Sequence, residues 1–206
     1  MYALVVNNSI TRVFPGPKGF EHNGNQYSPD IFYKWSKAEK EAIGLYEVTT
    51  DSTNYKDEKW YINTNESYTF SNGKVTRSWG TATAKAHADT LWTEQDKTDD
   101  KIPEGKDVGD VAVEGLKTIL IRTLKAQAAG ELKNTDWYIV RKADAGTAVP
   151  SSITTHRAAV RTKCAEMETA ITNAADTPAL ETLYTYTKQE DGSVTRPLGE
   201  LPTLEG

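Results

Sequence analysis

"LKNTDWYIVRKADAGTAVPSSITTHRAAVR", Leu132 to Arg161, is the stretch on which the fold of the chain's second half turns. Its Thr-Asp-Trp reads as a helix start. Thr135 or Asp136 is the expected cap, because a short oxygen-bearing side chain accepts the free N–H groups of a first turn. The acid also suits the positive end of the helix dipole. Trp137 then falls in the first turn, with its ring expected to wedge between this helix and the following one. Gly146 ends the helix. Pro150 fixes an extended entry, and Ser151 or Ser152 caps the next helix, "ITTHRAAVRTKCAEMETAITNA". Spacings of three and four predict His156, Val160, Cys164, Met167 and Ile171 as its inner face. Arg157 and Arg161 fall on an adjacent stripe, and Arg141 lies one turn after Trp137. Thr135, Asp136, Trp137 and Pro150 are therefore read as a structural anchor, and Arg141, Arg157 and Arg161 as a partner interface.

Working outward, "VAVEGLKTILIRTLKAQAAG" places Val113, Leu116, Leu120 and Leu124 at helical spacing, with Ile119 and Ile121 widening the stripe. Gly130 and Asn134 are its expected stops. After the long helix, "DTPALETLY" starts again, with Thr177 as cap and Pro178 at the first helical position. Residues 111–186 thus read as a helical hairpin or three-helix unit. Residues 187–206 read as an extended tail with a turn at Asp191-Gly192. Its last ten residues are expected to order only against a partner.

Residues 1–90 have a different composition, rich in Tyr, Trp, Phe, Thr and Asn, which favour strands and turns. "ALVV-NNS-ITRVF" reads as a hairpin, and Asn23-Gly24 and Asn72-Gly73 suit two-residue turns because both positions tolerate positive φ. "WSKAEKEAIG" is a short helix, with Ser36 and Glu39 as a capping box and Gly44 at its stop. The fold class expected is α+β: a small antiparallel sheet with one short helix, then the helical unit. Between them residues 91–110, highly charged and holding Pro103, Gly105 and Gly109, read as a linker. The aromatics of the first half, among them Trp35, Trp60, Tyr61 and Trp79, exceed what one face of a small sheet needs. They either pack together or leave some rings exposed to bind sugar or protein.

The totals narrow the function. Of 206 residues, 37% are apolar, which points to a modest core or two small ones. Net charge is −5 with both signs interspersed, which argues against a general nucleic-acid binder. No apolar run approaches the length of a membrane span, and "MYALVVNN" shows no basic leader. The one cysteine, Cys164, excludes an intrachain disulfide or a cysteine-cluster metal site. Together these features describe a chain made and folded in a cytosol. His22, His87 and His156 are scattered, with no metal-ligand spacing, and His156 reads as a packed core histidine. Cys164 reads as core too. No nucleophile elbow, Walker motif or dinucleotide fingerprint occurs. No catalytic residue, metal ligand or cofactor site is assigned.

Leu132, Thr135, Asp136, Trp137, Pro150, Arg157 and Arg161 together carry a resemblance. The stretch is similar to the C-terminal module of bacteriophage tail-fibre assembly proteins and related small tail-associated proteins. That module reads Leu-x-x-Thr-Asp-Trp, then Pro, then Tyr-Arg-x-x-Leu-Arg. Here His156 stands for the Tyr and Val160 for the Leu, and "YIVRKADAGTAV" replaces a shorter segment after the Trp. The resemblance covers about thirty residues and implies a phage protein without catalysis. Its partner would be a tail-fibre or baseplate protein, with a homo-oligomer also open. Its location would be the virion tail after synthesis in the host cytoplasm. A structural tail component is the expectation, with a fibre-assembly chaperone as the alternative. A carbohydrate-binding module using exposed aromatics is a second alternative, and a small hydrolase a weaker third.

Overall fold

The computed structural model describes residues 1–204. Its fold is α+β, as expected, and the contacts divide it into two compact units, Met1–Thr83 and Ala84 onward. The division therefore falls earlier than residue 90.

In the first unit, β1 (Tyr2–Val6) and β2 (Ser9–Phe14) form the expected hairpin, with Asn7 and Asn8 both at positive φ. That geometry matches the strand twist, which is why the turn selects Asn. A second hairpin, β3 (Phe20–His22) and β4 (Asn25–Tyr27), turns on Asn23-Gly24. The short helices α1 (Ile31–Lys34) and α2 (Lys37–Ala42) follow. The capping box of α2 is as read from sequence: Glu39 N–H donates to Ser36 Oγ at 3.3 Å, and Ser36 N–H donates to Glu39 Oε2 at 2.7 Å. Then come β5 (Leu45–Thr50), β6 (Tyr61–Ile62), β7 (Ser67–Ser71), β8 (Lys74–Ser78) and β9 (Thr83–Ala84).

The main sheet has the order β2-β1-β5-β8-β7, and its β5–β8 junction is parallel where only antiparallel pairs were expected. The β7–β8 hairpin docks on the free edge of β5 by its second strand. This orientation places Val75 of β8, which is fully buried, inside the sheet, opposite Val48. Burying a Val side chain contributes about 1.5–3 kcal/mol, enough to select which strand of the hairpin lies inside.

The pleat of β1 splits the apolar residues between two faces. Leu4 joins Phe14, Phe20, Ile31, Phe32 and Leu45 on one, with Tyr2 and Val6 beside them. Ala3 and Val5 join Val75 on the other, with Tyr46, Val48 and Phe70 against them. Rings meet edge-on (Tyr2–Phe32, centroids 5.2 Å apart) or stacked (Phe20–Tyr27, 5.1 Å), arrangements their quadrupoles favour. Most of the aromatics that looked surplus therefore pack together. Within residues 1–83, Tyr33 and Tyr55 are the exposed rings.

The charged segment 91–110 is not a free linker. Around it β10 (Thr90–Leu91) pairs antiparallel with β11 (Val111–Val113), and inside it α3 (Glu94–Thr98) starts on a Thr93–Asp96 capping box. Trp92 N–H donates to Asp110 O and Gly109 N–H donates to Trp92 O, both at 2.9 Å. These bonds tie the ends of the segment, so its charges decorate a closed loop.

The helices are α4 (Leu116–Lys133), α5 (Asp136–Ala145), α6 (Ser151–Asn173) and α7 (Thr177–Tyr184). Val113 lies in β11, before the helix it was expected to join. Helix α4 passes through Gly130, and its buried stripe is Leu120, Leu124 and Ala128. Helices α4 and α6 run antiparallel: Lys117 Nζ donates to Thr172 O at 2.8 Å, and Lys125 pairs with Glu168 at 2.8 Å. Pro150 itself is the N-cap residue of α6, with Ser151 and Ser152 already helical. Asp176, rather than Thr177, caps α7, accepting from Ala179 N–H at 2.8 Å. Thr177 is buried instead and donates to Lys85 O at 2.6 Å.

The tail forms the expected turn, with β12 (Thr187–Lys188) against β13 (Val194–Thr195). Beyond it the chain folds back and does not wait for a partner. Leu198 is buried and donates its N–H to Leu183 O at 3.0 Å. Arg196 lies over the rings of Tyr184 and Tyr186, 5.2 Å from each, and pairs with Glu200 at 2.7 Å. An apolar side chain and a guanidinium thus hold the segment that its Pro and Gly content suggested would be loose. The last two positions of the expected tail, Glu205 and Gly206, lie outside the described residues.

Helix α4 takes its cap from a distance. Asp89 accepts from Gly115 N–H at 2.7 Å and from the Thr118 hydroxyl at 2.9 Å. The Gly115 bond first, and the Thr118 bond second, hold its carboxyl below the ordinary aspartate range. A depressed folded pKa means that this stabilisation is complete above the unfolded value, about 3.9, and lost as pH falls through the folded one. Asp89→Asn should therefore flatten the acid limb of the melting-temperature profile between pH 5 and pH 2 (about the range of these pKa values), with little change in its slope near pH 7. An unchanged acid limb would remove Asp89 from this role.

Candidate functional site

The anchor at the start of α5 exists, but different atoms make it. Thr135 is fully buried and makes no side-chain cap bond; its hydroxyl donates to Leu132 O at 2.9 Å. Arg157 reaches across from α6. Its Nη1 donates to Leu132 O and to Thr135 Oγ1, both at 2.7 Å, and lies 2.8 Å from Asp136 Oδ1. Asp136 thus spends its charge on a guanidinium rather than on the helix N–H groups. One cation ties together the end of α4, the turn and the start of α5.

This arrangement corrects two expectations. Arg157 was read as a partner contact and is buried, with 8% of its surface exposed. It lies four residues after Ile153 and three before Val160, both buried, so the helical period places it at the face where α4 packs. Trp137 was read as a wedge between helices and is 52% exposed. Its ring lies against Tyr138, with centroids 4.2 Å apart, and under the Arg141 guanidinium at 4.4 Å. The guanidinium clasp already joins the helices, and the indole is left on the outside.

Arg141 is half-buried. Its guanidinium covers Trp137 and also sits 5.4 Å from the Tyr138 ring, while its Nε is sealed from solvent with no hydrogen-bond partner. Arg161 is exposed and borders a shallow groove between α4 and α6, floored by Ala128, Leu132 and Cys164. Pro150 is exposed and does not touch the clasp. Only Thr135, Asp136 and Arg157, of the seven residues singled out, converge on one point. His156 is buried, as expected, with Nε2 unpartnered. Cys164 is half-buried, and burial pushes its thiol above the usual cysteine range, which disfavours the thiolate.

Sequence reading missed the outward face of α5. No residue of this helix is buried. Trp137, Ile139 and Val140 are 52%, 43% and 65% exposed, and Ala143 is exposed with them. At about 100° per residue these four span a continuous arc of about 160°. Arg141 borders that arc on the Trp137 side and Lys142 on the Ile139 side. Two acids lie within it, Asp136 at the N-terminal end and Asp144 at the C-terminal end. The signal was present in "WYIVRKA", which has four apolar residues in succession and thus more than one helix face can bury.

Among the described residues, no group of three or more His, Cys, Asp or Glu side chains is placed to hold a metal ion, and no helix is long and apolar enough to cross a membrane. Compared with known proteins, the chain matches no family model, no curated protein and no solved structure.

Proposed function

We propose that this chain is a non-enzymatic bacteriophage tail protein, a structural component of the virion that attaches to tail-fibre or baseplate proteins. One observation carries the reading. Thr135, Asp136 and Arg157, three of the seven residues that bear the resemblance to tail-fibre assembly proteins, meet through their side chains, with the main-chain oxygen of Leu132 as a further acceptor. Residues dispersed over 26 positions of sequence thus act together, as parts of one motif should. Their joint effect is to present Trp137 and the apolar face of α5 to the surroundings, which suits a docking body. The carbohydrate-binding alternative draws less support, because the rings of the first unit are largely engaged with one another.

The test is mass spectrometry of purified virions. A structural component is present in fixed ratio to the other tail proteins. Its absence from virions, with association to a fibre protein inside infected cells, would replace this reading with the chaperone one.

A further inference from the structure

We infer that the recess between the β1–β2 turn, the β3–β4 hairpin and the end of α2 is a binding site for one neutral sugar ring. The inference stands apart from the tail-component reading, and it needs no platform of exposed aromatic rings. The recess measures about 310 Å³, at the lower end of small-ligand pockets. No Asp, Glu, Lys or Arg lines it, in a chain of which 26% is charged. Its polar groups come from Asn7, His22, Asn23, Asn25 and Tyr27. Amides without a neighbouring full charge select a neutral, hydroxyl-rich ligand over a phosphate, a carboxylate or a metal ion.

The hairpin delivers two of these groups on its core side. Phe20 pairs with Tyr27 and His22 with Asn25, so all four project from one face of the ribbon. Phe20 and Tyr27 use that face to join the packed core. Glu21 and Gln26 bond each other on the opposite face, at 2.8 Å. The core-side face therefore ends in an imidazole and an amide where apolar side chains would extend the core. Among the described residues the five polar side chains have one hydrogen bond, Asn25 Nδ2 donating to Asn23 O at 3.3 Å. An amide offers a donor and an acceptor side by side, which matches neighbouring hydroxyls of a sugar. Val6 and Ile43 offer apolar surface to its C–H groups.

The frame is set before any ligand arrives. The turns hold Asn7 and Asn23 at positive φ. Tyr27, stacked on Phe20, also meets Trp35 edge-on at 5.9 Å. Val5 N–H donates to Gly44 O and ties the end of α2 to β1. A site that needs no ordering keeps more of its contact energy as affinity.

Turn geometry alone accounts for asparagine at positions 7 and 23, so the experiment separates that role from binding. The isotope-labelled full chain is titrated with glucose, galactose, mannose and N-acetylglucosamine and followed by amide NMR. At least one sugar should shift the side-chain signals of Asn7, Asn23 and Asn25 with a millimolar Kd, and glucuronate should bind far more weakly. Asn7→Gly keeps the positive φ and removes the amide. Asn25→Ala removes the other from an exposed position. Each should weaken binding by about three- to tenfold, as loss of one hydrogen bond does, at an unchanged melting temperature. A free sugar and the end of a glycan present the same hydroxyls, so an oligosaccharide ending in the best sugar is titrated beside it. Equal affinity marks a site for glycan ends, and weaker binding a site for the free sugar. Silence of those signals with every sugar at tens of millimolar, equal binding of glucuronate, or full affinity in either variant would overturn the inference.

Discussion

Arg157→Ala is expected to destabilise the helical unit by about 2–4 kcal/mol, from the loss of a buried charged donor's hydrogen bonds, about 1.5–3 kcal/mol, and of the packing of its side chain. Arg157 is 8% exposed, and its guanidinium meets Leu132 O, Thr135 Oγ1 and Asp136 Oδ1 together. Deleting it leaves a cavity and takes a charged donor from Leu132 O and Thr135 Oγ1, which keep only their bond to each other. Thermal unfolding should report a fall of roughly 10–20 °C for a unit of this size. Arg157→Lys should recover only part of this, because an ammonium lacks the planar fork. Asp136→Asn should cost about 1 kcal/mol or less, since that carboxylate is more than half exposed and its pairing is screened. Trp137→Ala, at a half-exposed ring, should cost less than about 1 kcal/mol, with the loss appearing in partner binding instead. If Trp137→Ala proves the more destabilising of the two, the clasp is not what joins α4, α5 and α6.

The contrast between Arg157 and Trp137 shows where sequence reading reached its limit. Features decided within three or four residues were legible: the Asn7-Asn8, Asn23-Gly24 and Asn72-Gly73 turns, the Ser36–Glu39 capping box, the Asp191-Gly192 hairpin and the split between strand-rich and helical halves. Each is fixed by backbone φ or a side chain reaching its own neighbours. Features that join distant segments were not legible. Asp89 caps a helix that starts 27 positions later, Thr177 bonds Lys85, and β8 slips in beside β5 in parallel. The period of α6 put His156 on the inner face correctly, yet the charge of Arg157 suggested solvent. The acceptor set that makes its burial tolerable lies on another helix and in a turn. For Trp137 the error was of the opposite kind: a large apolar ring suggested core, and the core side of that turn was already filled by Thr135.

Gly44→Ala should be the most damaging single-methyl change in the first unit, at about 2–5 kcal/mol. Gly44 ends α2 at φ +80°, a conformation that costs an L residue about 1–2 kcal/mol. A Cβ there would also lie 2.4 Å from Val5 O, a backbone atom of a central strand. Neither side can yield cheaply. Val5 N–H donates to Gly44 O at 2.8 Å, so parting the two segments breaks that bond, and Leu4 and Leu45 on either side sit in one packed core. Relief by backbone movement adds about 1–3 kcal/mol, as overpacking generally does. Gly73→Ala separates the two contributions. Gly73 has φ +68° but nothing within 4 Å of a built Cβ, so its change carries the conformational cost alone. Urea unfolding of the two variants should differ by the clash with Val5 O. Equal losses would mean that β1 can move away from the end of α2, and that the glycine is held there by its φ and not by the strand it touches.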